Sequence, residues 1–217
     1  MLQIKTFVFN GMRSNTHLLW QENGDCVIID AGCNNQIERD EMDHFISLNH
    51  LNPLALLLTH AHFDHTMGAA WLCNRYTIDA YLHTDDQEEL SRVQAGAGVY
   101  GIQIEDAGLC TPLHLYNLDT KCFRSIRLSV LHTPGHTAGS ACFYEPTEQI
   151  LFSGDTLIKG SLGFSNAGYS ELLNHLKEKI LPLPAQTRIF PGHGTSTTIE
   201  EEGKWNPFFR IMKREQK

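Results

Sequence analysis

The chain has 217 residues and a net charge of −8, with 41% apolar and 19% charged residues. That size fits one domain with a sizeable core, and the composition is neither disordered nor fibrous. The acidic balance and the absence of a Lys/Arg-rich run argue against a nucleic-acid backbone as partner, and no apolar run approaches a membrane span. The opening Met1-Leu2-Gln3-Ile4-Lys5 has no apolar signal core, and six cysteines lie scattered without a Cys-x-x-Cys pair. They read as reduced thiols of a cytoplasmic protein.

In chain order, the pattern predicts strands over Leu2–Phe9, Thr16–Trp20 and Cys26–Asp30, separated by the turns Asn10-Gly11 and Asn23-Gly24. A helical stripe follows over Gln36–Leu51. Pro53–Thr59 reads as a buried strand, Asp64–Cys73 as a helix, Tyr76–Leu82 as a strand and Asp85–Val93 as a helix. Gln94–Thr111, rich in Gly and Ala, reads as a long functional loop. Strands are predicted over Phe123–His132, Ser140–Glu145, Gln149–Ser153 and Thr187–Phe190, with an amphipathic helix over Ser170–Ile180 capped by Ser170. Each half of the chain alternates strands and helices, so the expected architecture is two sheets packed face to face with helices outside. That is an α/β four-layer αββα sandwich, a single domain over 1–217.

Chemistry concentrates in Thr59-His60-Ala61-His62-Phe63-Asp64-His65, directly after the apolar run Pro53–Leu58. Four potential metal ligands fall within six residues, where a rigid strand end meets a tight turn. Three further candidates share that setting: His136 in Thr-Pro-Gly-His-Thr, Asp155 in Ser-Gly-Asp-Thr and His193 in Pro-Gly-His-Gly. A glycine before each allows a sharp turn and close backbone approach. Asp30, at a strand end before Ala31-Gly32, suits either a partner to the second nitrogen of a ligand histidine or a turn cap. His17, His83 and His132 read as structural.

These four motifs in this order resemble the metallo-β-lactamase superfamily, and within it the short glyoxalase-II-like hydrolases. The resemblance implies one metal held by His60, His62 and His136 and a second held by Asp64, His65 and His193, with Asp155 bridging. The mixed His/Asp donors suit Zn²⁺, two per chain, with Fe or Mn also accommodated. Two ions about 3.5–4 Å apart can share a hydroxide that attacks a thioester or ester-like bond of a small-molecule substrate. Asp64 is then expected to be catalytic, serving the second metal and orienting the hydroxide.

One position departs from the family. The segment after the bridging Asp usually carries a Lys or Arg for the carboxylate of a glutathione thioester, and here Phe164 stands there. An aromatic ring cannot make the charge-assisted bonds of a guanidinium. The chain also ends soon after His193, without the helical domain of full-length glyoxalase II, so glutathione-thioester specificity is not expected. Two alternatives share the motifs: a mononuclear iron persulfide dioxygenase, whose Glu-Glu-x(n)-Asn-Pro tail is matched by Glu201-Glu202 and Asn206-Pro207, and a metal-binding scaffold without catalysis.

Overall fold

The computed structural model describes residues 1–105, 112–115, 119–165 and 169–209. Strands β1 (Gln3–Phe9), β2 (Ser14–Trp20) and β3 (Asp25–Ile29) lead through helix α1 (Gln36–Leu48) to β4 (Asn52–Leu57). Helices α2 (Phe63–Thr66) and α3 (Ala69–Tyr76) precede β5 (Ala80–His83), a 3-10 turn over Thr84–Asp86, α4 (Gln87–Ser91), α5 (Val93–Val99) and β6 (Leu113–Leu115). The second half contains β7 (Thr120–Phe123), β8 (Ile126–His132), β9 (Ala141–Glu145), β10 (Ile150–Gly154), α6 (Ser170–His175), β11 (Arg188–Pro191), β12 (Thr197–Thr198) and α7 (Ile199–Trp205).

The strands form two six-stranded sheets, ordered β1-β2-β3-β4-β5-β6 and β12-β11-β10-β9-β8-β7. Both are mixed: β3, β4, β5 and β6 run parallel, as do β10 and β11, and the other pairs are antiparallel. Successive strand residues point to opposite faces. Leu19, Val27, Ile29 and Leu57 therefore meet Ile126, Leu128, Val130, Phe143 and Phe152 between the sheets. Their neighbours Leu18, Ile28 and Leu56 face outward against Met42 and Ile46 of α1 and Leu72 of α3. On the far side, Cys142, Leu151 and Ile189 pack against Leu172, Leu176 and Ile199. Three apolar layers make the expected αββα sandwich. A sheet covered on both faces also explains why Cys26–Ile29 and Leu54–Leu58 are continuous apolar runs rather than alternating ones.

Several local expectations are corrected. The single helix over Asp64–Cys73 is broken between α2 and α3 at Gly68, where a Cβ would stand 2.5 Å from the carbonyl oxygen and Sγ of Cys33. Helix α3 runs on through Tyr76 and ends at Thr77 in the left-handed region (φ 54°), so β5 begins only at Ala80. The start of the long Gly-rich stretch is helical, as α5, and its 106–111 portion, with Cys110, lies outside the described residues, as do Lys213, Arg214 and Lys217. The strand over Phe123–His132 starts a hairpin, with Arg124 at φ 55° in its turn. Ser170 is the first residue of α6 rather than its cap, which is Tyr169 without a side-chain bond, and the helix finishes as a π turn over Leu176–Ile180. Among the described residues no helix is long and apolar enough to cross a membrane.

Candidate metal centre

The seven expected ligands arrive on strand ends and loops at one rim of the sandwich. His60, His62, Asp64 and His65 follow β4 of the first sheet. His136 follows β8, Asp155 follows β10 and His193 follows β11 of the second. The structure brings them together in three overlapping groups: His60, His62 and His136; Asp64, His65 and His193; and His60, His65 and Asp155.

Distances within the cluster fit shared cations. His65 Nε2 and His193 Nε2 face each other at 3.2 Å, and both face Asp64 Oδ2, at 3.4 and 3.3 Å. Asp155 reaches both sides, with Oδ1 3.7 Å from His65 Nε2 and Oδ2 3.6 Å from His136 Nε2 and 3.5 Å from His193 Nε2. Ligand atoms about 2.1 Å from a tetrahedral ion stand about 3.4 Å apart, so this spacing matches a coordination shell. The rings of His60, His62 and His136 cross at 76–86°, which lets in-plane lone pairs converge.

Protein groups hold the outer ring nitrogens. His65 Nδ1 donates to Asp30 Oδ2 (3.0 Å), His136 Nδ1 to the Phe164 carbonyl (2.7 Å) and His193 Nδ1 to the Arg13 carbonyl (3.3 Å). The Thr59 hydroxyl donates to Asp30 Oδ2 (2.9 Å), which leaves its lone pair to accept His60 Nδ1 (3.0 Å). Asp30 therefore serves the ligand histidines directly and through Thr59, the first of the two roles open to it in the sequence. It sits in the left-handed region (φ 60°), also takes the Thr59 N–H (2.7 Å) and is buried.

The inner atoms are left over. His60 Nε2, His136 Nε2 and Asp155 Oδ1 are buried and make no hydrogen bond among the described residues. Orphaned buried polar atoms are costly and call for a partner. At Gly192 a Cβ would collide with Asp155 Oδ1 and stand 2.8 Å from His65 Cε1, so the backbone there is kept bare for this cradle. On these grounds the residues fit a pair of transition-metal ions.

Charge divides the centre. Burial alone would lower His65, but Asp155, Asp30 and Asp64 outweigh it and raise the imidazole to about 10. Burial likewise opposes Asp64, yet the His193 hydrogen bond and the His65 and His193 charges hold its carboxyl at about 2. On the other side burial, with His136 next, pushes His62 down to about 4. The side of Asp64 and His65 draws cations, a proton on His65 among them, while burial and neighbouring imidazoles hold His60 and His62 neutral.

A further trio, His83, Asp85 and His132, also has ligand-type atoms within 4.8 Å of one another. Its imidazoles stack face to face, 3.7 Å between centres and 13° between planes. An ion shared between parallel rings would sit out of both planes, away from the lone pairs, and His132 Nε2 already donates to the Ala138 carbonyl (2.8 Å). This pair is packing, as expected for both histidines. His17 is likewise structural, bonded to Thr6 Oγ1 (2.9 Å) and the Pro191 carbonyl (3.0 Å), with burial lowering it to about 4.

A cleft of about 410 Å³ opens onto the centre. Its walls include Met12, Phe63, Val93, Tyr100, Leu162 and Phe164. Sequence reasoning missed most of these, and it missed Asp86, read only as part of a helix; a lone carboxylate in a run of acids gives no signal of burial.

Fold and centre together define a two-sheet αββα protein with a cluster of seven His and Asp side chains suited to metal ions. The chain belongs to the metallo-beta-lactamase superfamily, whose family model matches residues 10–193. It is similar to the hydroxyacylglutathione hydrolase GloC of Haemophilus influenzae, 30% identical over 95% of this chain and 98% of that one. Among solved structures it is similar to the BLEG-1 B3 metallo-beta-lactamase, with a TM-score of 0.86 and 33% identity over 95% of this chain and 99% of that chain. It is also similar to TTHA1623 in a di-iron-bound form, with a TM-score of 0.83 and 33% identity over 94% and 99% of the two chains.

Proposed function

We propose that the protein is a metal-dependent hydrolase of a thioester or related ester-like bond in a small molecule that carries little negative charge. The observation that carries this reading is the set of buried, unbonded atoms His60 Nε2, His136 Nε2 and Asp155 Oδ1 in the cluster of seven ligand-type side chains. His60, His62 and His136 would hold one ion and Asp64, His65 and His193 the other, with Asp155 between them. Zinc suits the donors, and iron is supported by the di-iron relative. Two such ions supply Lewis acidity and an acidified water, so no separate strong base is required. The chain's own groups do the placing: Asp30, Thr59, Phe164 and Arg13 fix the ring tautomers, and Asp64 stays ionised at neutral pH.

The cleft supports the substrate class. Phe164 lines its mouth with an exposed ring while its carbonyl orients His136. Lys159 does not line the cleft and pairs with Glu201 at 3.6 Å. Arg92 does line it, but it pairs with Glu88, and Glu89 stands 4.0 Å from His62. An anionic glutathione arm would meet mostly apolar side chains there.

The test is metal analysis of protein purified without added metal, followed by a thioester and lactone panel with and without chelator, and oxygen uptake with a persulfide. The expectation is chelator-sensitive hydrolysis, faster on neutral acyl thioesters than on S-lactoylglutathione. Oxygen consumption without hydrolysis, or hydrolysis indifferent to metal removal, overturns the reading.

A further inference from the structure

One buried carboxylate outside the seven ligands binds both loops that carry the His60, His62 and His136 group. Strand β5 ends at His83, whose Nδ1 accepts the Asp85 N–H (3.3 Å) and caps the 3-10 turn Thr84–Asp86. The His83 ring is itself held by its stack on His132. That turn delivers Asp86 inward, where it is completely buried. Its Oδ2 accepts the Ala61 N–H (2.8 Å), between His60 and His62, and the Thr137 hydroxyl (2.9 Å), directly after His136. Its Oδ1 accepts the Gly139 N–H (2.6 Å). A Cβ at Gly139 would stand 2.6–2.8 Å from Asp86, so the loop approaches this closely only without a side chain there.

The three histidines of this group come from different sheets. His60 and His62 follow β4, and His136 follows β8. Their spacing therefore depends on how two loops are registered across the sandwich, and ligand spacing errors of about 0.5 Å already degrade a site. We propose that Asp86 is a positioning residue that locks these two loops together, and so sets the ion affinity of the His60, His62 and His136 site separately from that of the Asp64, His65 and His193 site. The inference rests on the metal-centre reading above.

The chemistry admits no neutral substitute. All three partners donate, two of them from the backbone, and a carboxylate offers acceptors to all. An asparagine must turn its NH₂ toward either the Gly139 N–H or the Ala61 N–H, leaving one buried donor facing another. Groups that orient a ligand typically change metal affinity 10–100-fold when lost.

The experiment strips the protein, then titrates zinc against a competing chelator and follows cobalt(II) by its visible absorption, for wild type, Asp86→Asn and Thr137→Val. Wild type is expected to bind two ions. Asp86→Asn is expected to weaken one of them at least 10-fold with the other within about twofold, and to retain about one ion through gel filtration. A purely structural role would lower the melting temperature and leave the two affinities unchanged, or lower both together; either result overturns the proposal. Should Asp86→Asn fail to fold, Thr137→Val removes one of the three bonds and is expected to show a smaller, equally one-sided weakening; its absence overturns the proposal too. The wild-type arm separates the two readings: a wild type that binds no ions removes the metal centre itself, whereas two ions bound with unaltered variants removes only the role of Asp86.

Discussion

Asp30→Asn is the sharpest probe of how proton positions are set in this centre. Asp30 Oδ2 accepts both His65 Nδ1 (3.0 Å) and the Thr59 hydroxyl (2.9 Å), and that hydroxyl accepts His60 Nδ1 (3.0 Å). In the neutral rings that an ion would bind, the chain of donors leaves Nε2 of both histidines as lone pairs facing the cluster. Asparagine suits the left-handed backbone at φ 60°, so the change adds no strain of its own. An amide with NH₂ toward His65 reverses the chain: His65 Nδ1 becomes an acceptor, the Thr59 hydroxyl turns to donate to His60, and both protons move to the inner nitrogens. That orientation is expected to cost 10–100-fold in ion affinity, about 1.4–2.8 kcal/mol. The opposite orientation sets NH₂ against the Thr59 N–H, which donates to Oδ1 at 2.7 Å, and costs about 1–3 kcal/mol of stability instead. Zinc titration against a competing chelator, paired with thermal unfolding of the metal-free protein, reads both. If a folded Asp30→Asn variant keeps wild-type affinity and wild-type melting, the reasoning about the proton chain is refuted.

Phe164→Arg is expected to improve kcat/KM for S-lactoylglutathione by roughly one to two decades, the worth of a charge-assisted bond of about 1.5–3 kcal/mol, with little change for neutral thioesters; an equal effect on both substrates contradicts it. Gly192→Ala drives a Cβ into Asp155 and His65 and is expected to lower metal content and cost about 1–3 kcal/mol in thermal unfolding, whereas Gly203→Ala in α7, whose added Cβ would meet no neighbouring atom within 4 Å, is expected to be neutral or stabilising. Asp43 accepts Arg75 Nη2 (2.9 Å), Arg75 Nε (3.0 Å) and the Tyr76 hydroxyl (2.9 Å), and the Arg75 bond leads in holding its carboxyl below the ordinary 3.8. A lowered folded value means the stabilisation is complete above about pH 3.8 and fades as pH falls through the folded value. Asp43→Asn is thus expected to cost up to ~1 kcal/mol near neutrality, reduced by exposure, and to match wild type in strong acid, as urea unfolding at several pH values would show.

The clustering of the seven ligand-type side chains was legible because its information is local. Four ligands crowd into His60–His65, and His136, Asp155 and His193 each follow a glycine at the end of an apolar strand. The layering was legible for the same reason: β-branched and leucine runs such as Cys26–Ile29 can only belong to strands covered on both faces. Local breaks were less so. Helix α3 running through Tyr76 and the helical start of Val93–Val99 are decided by packing, as when Ala97 buries against Phe63 and Met67, not by propensity. Of the proton arrangement the sequence offered only Asp30 as a possible partner, without saying which histidine it meets. Asp30 reaches His65 across 35 positions, the Phe164 carbonyl reaches His136 across 28, and Asp86 reaches Ala61 and Gly139 across 25 and 53. A side chain's type says that it can donate or accept; which partner it meets depends on how the two sheets dock. The sequence by itself therefore determined which atoms could bind metal. The tertiary structure alone decided which nitrogen of His65, His136 and His193 faces the cluster, because that choice is made by hydrogen bonds between segments far apart in the chain.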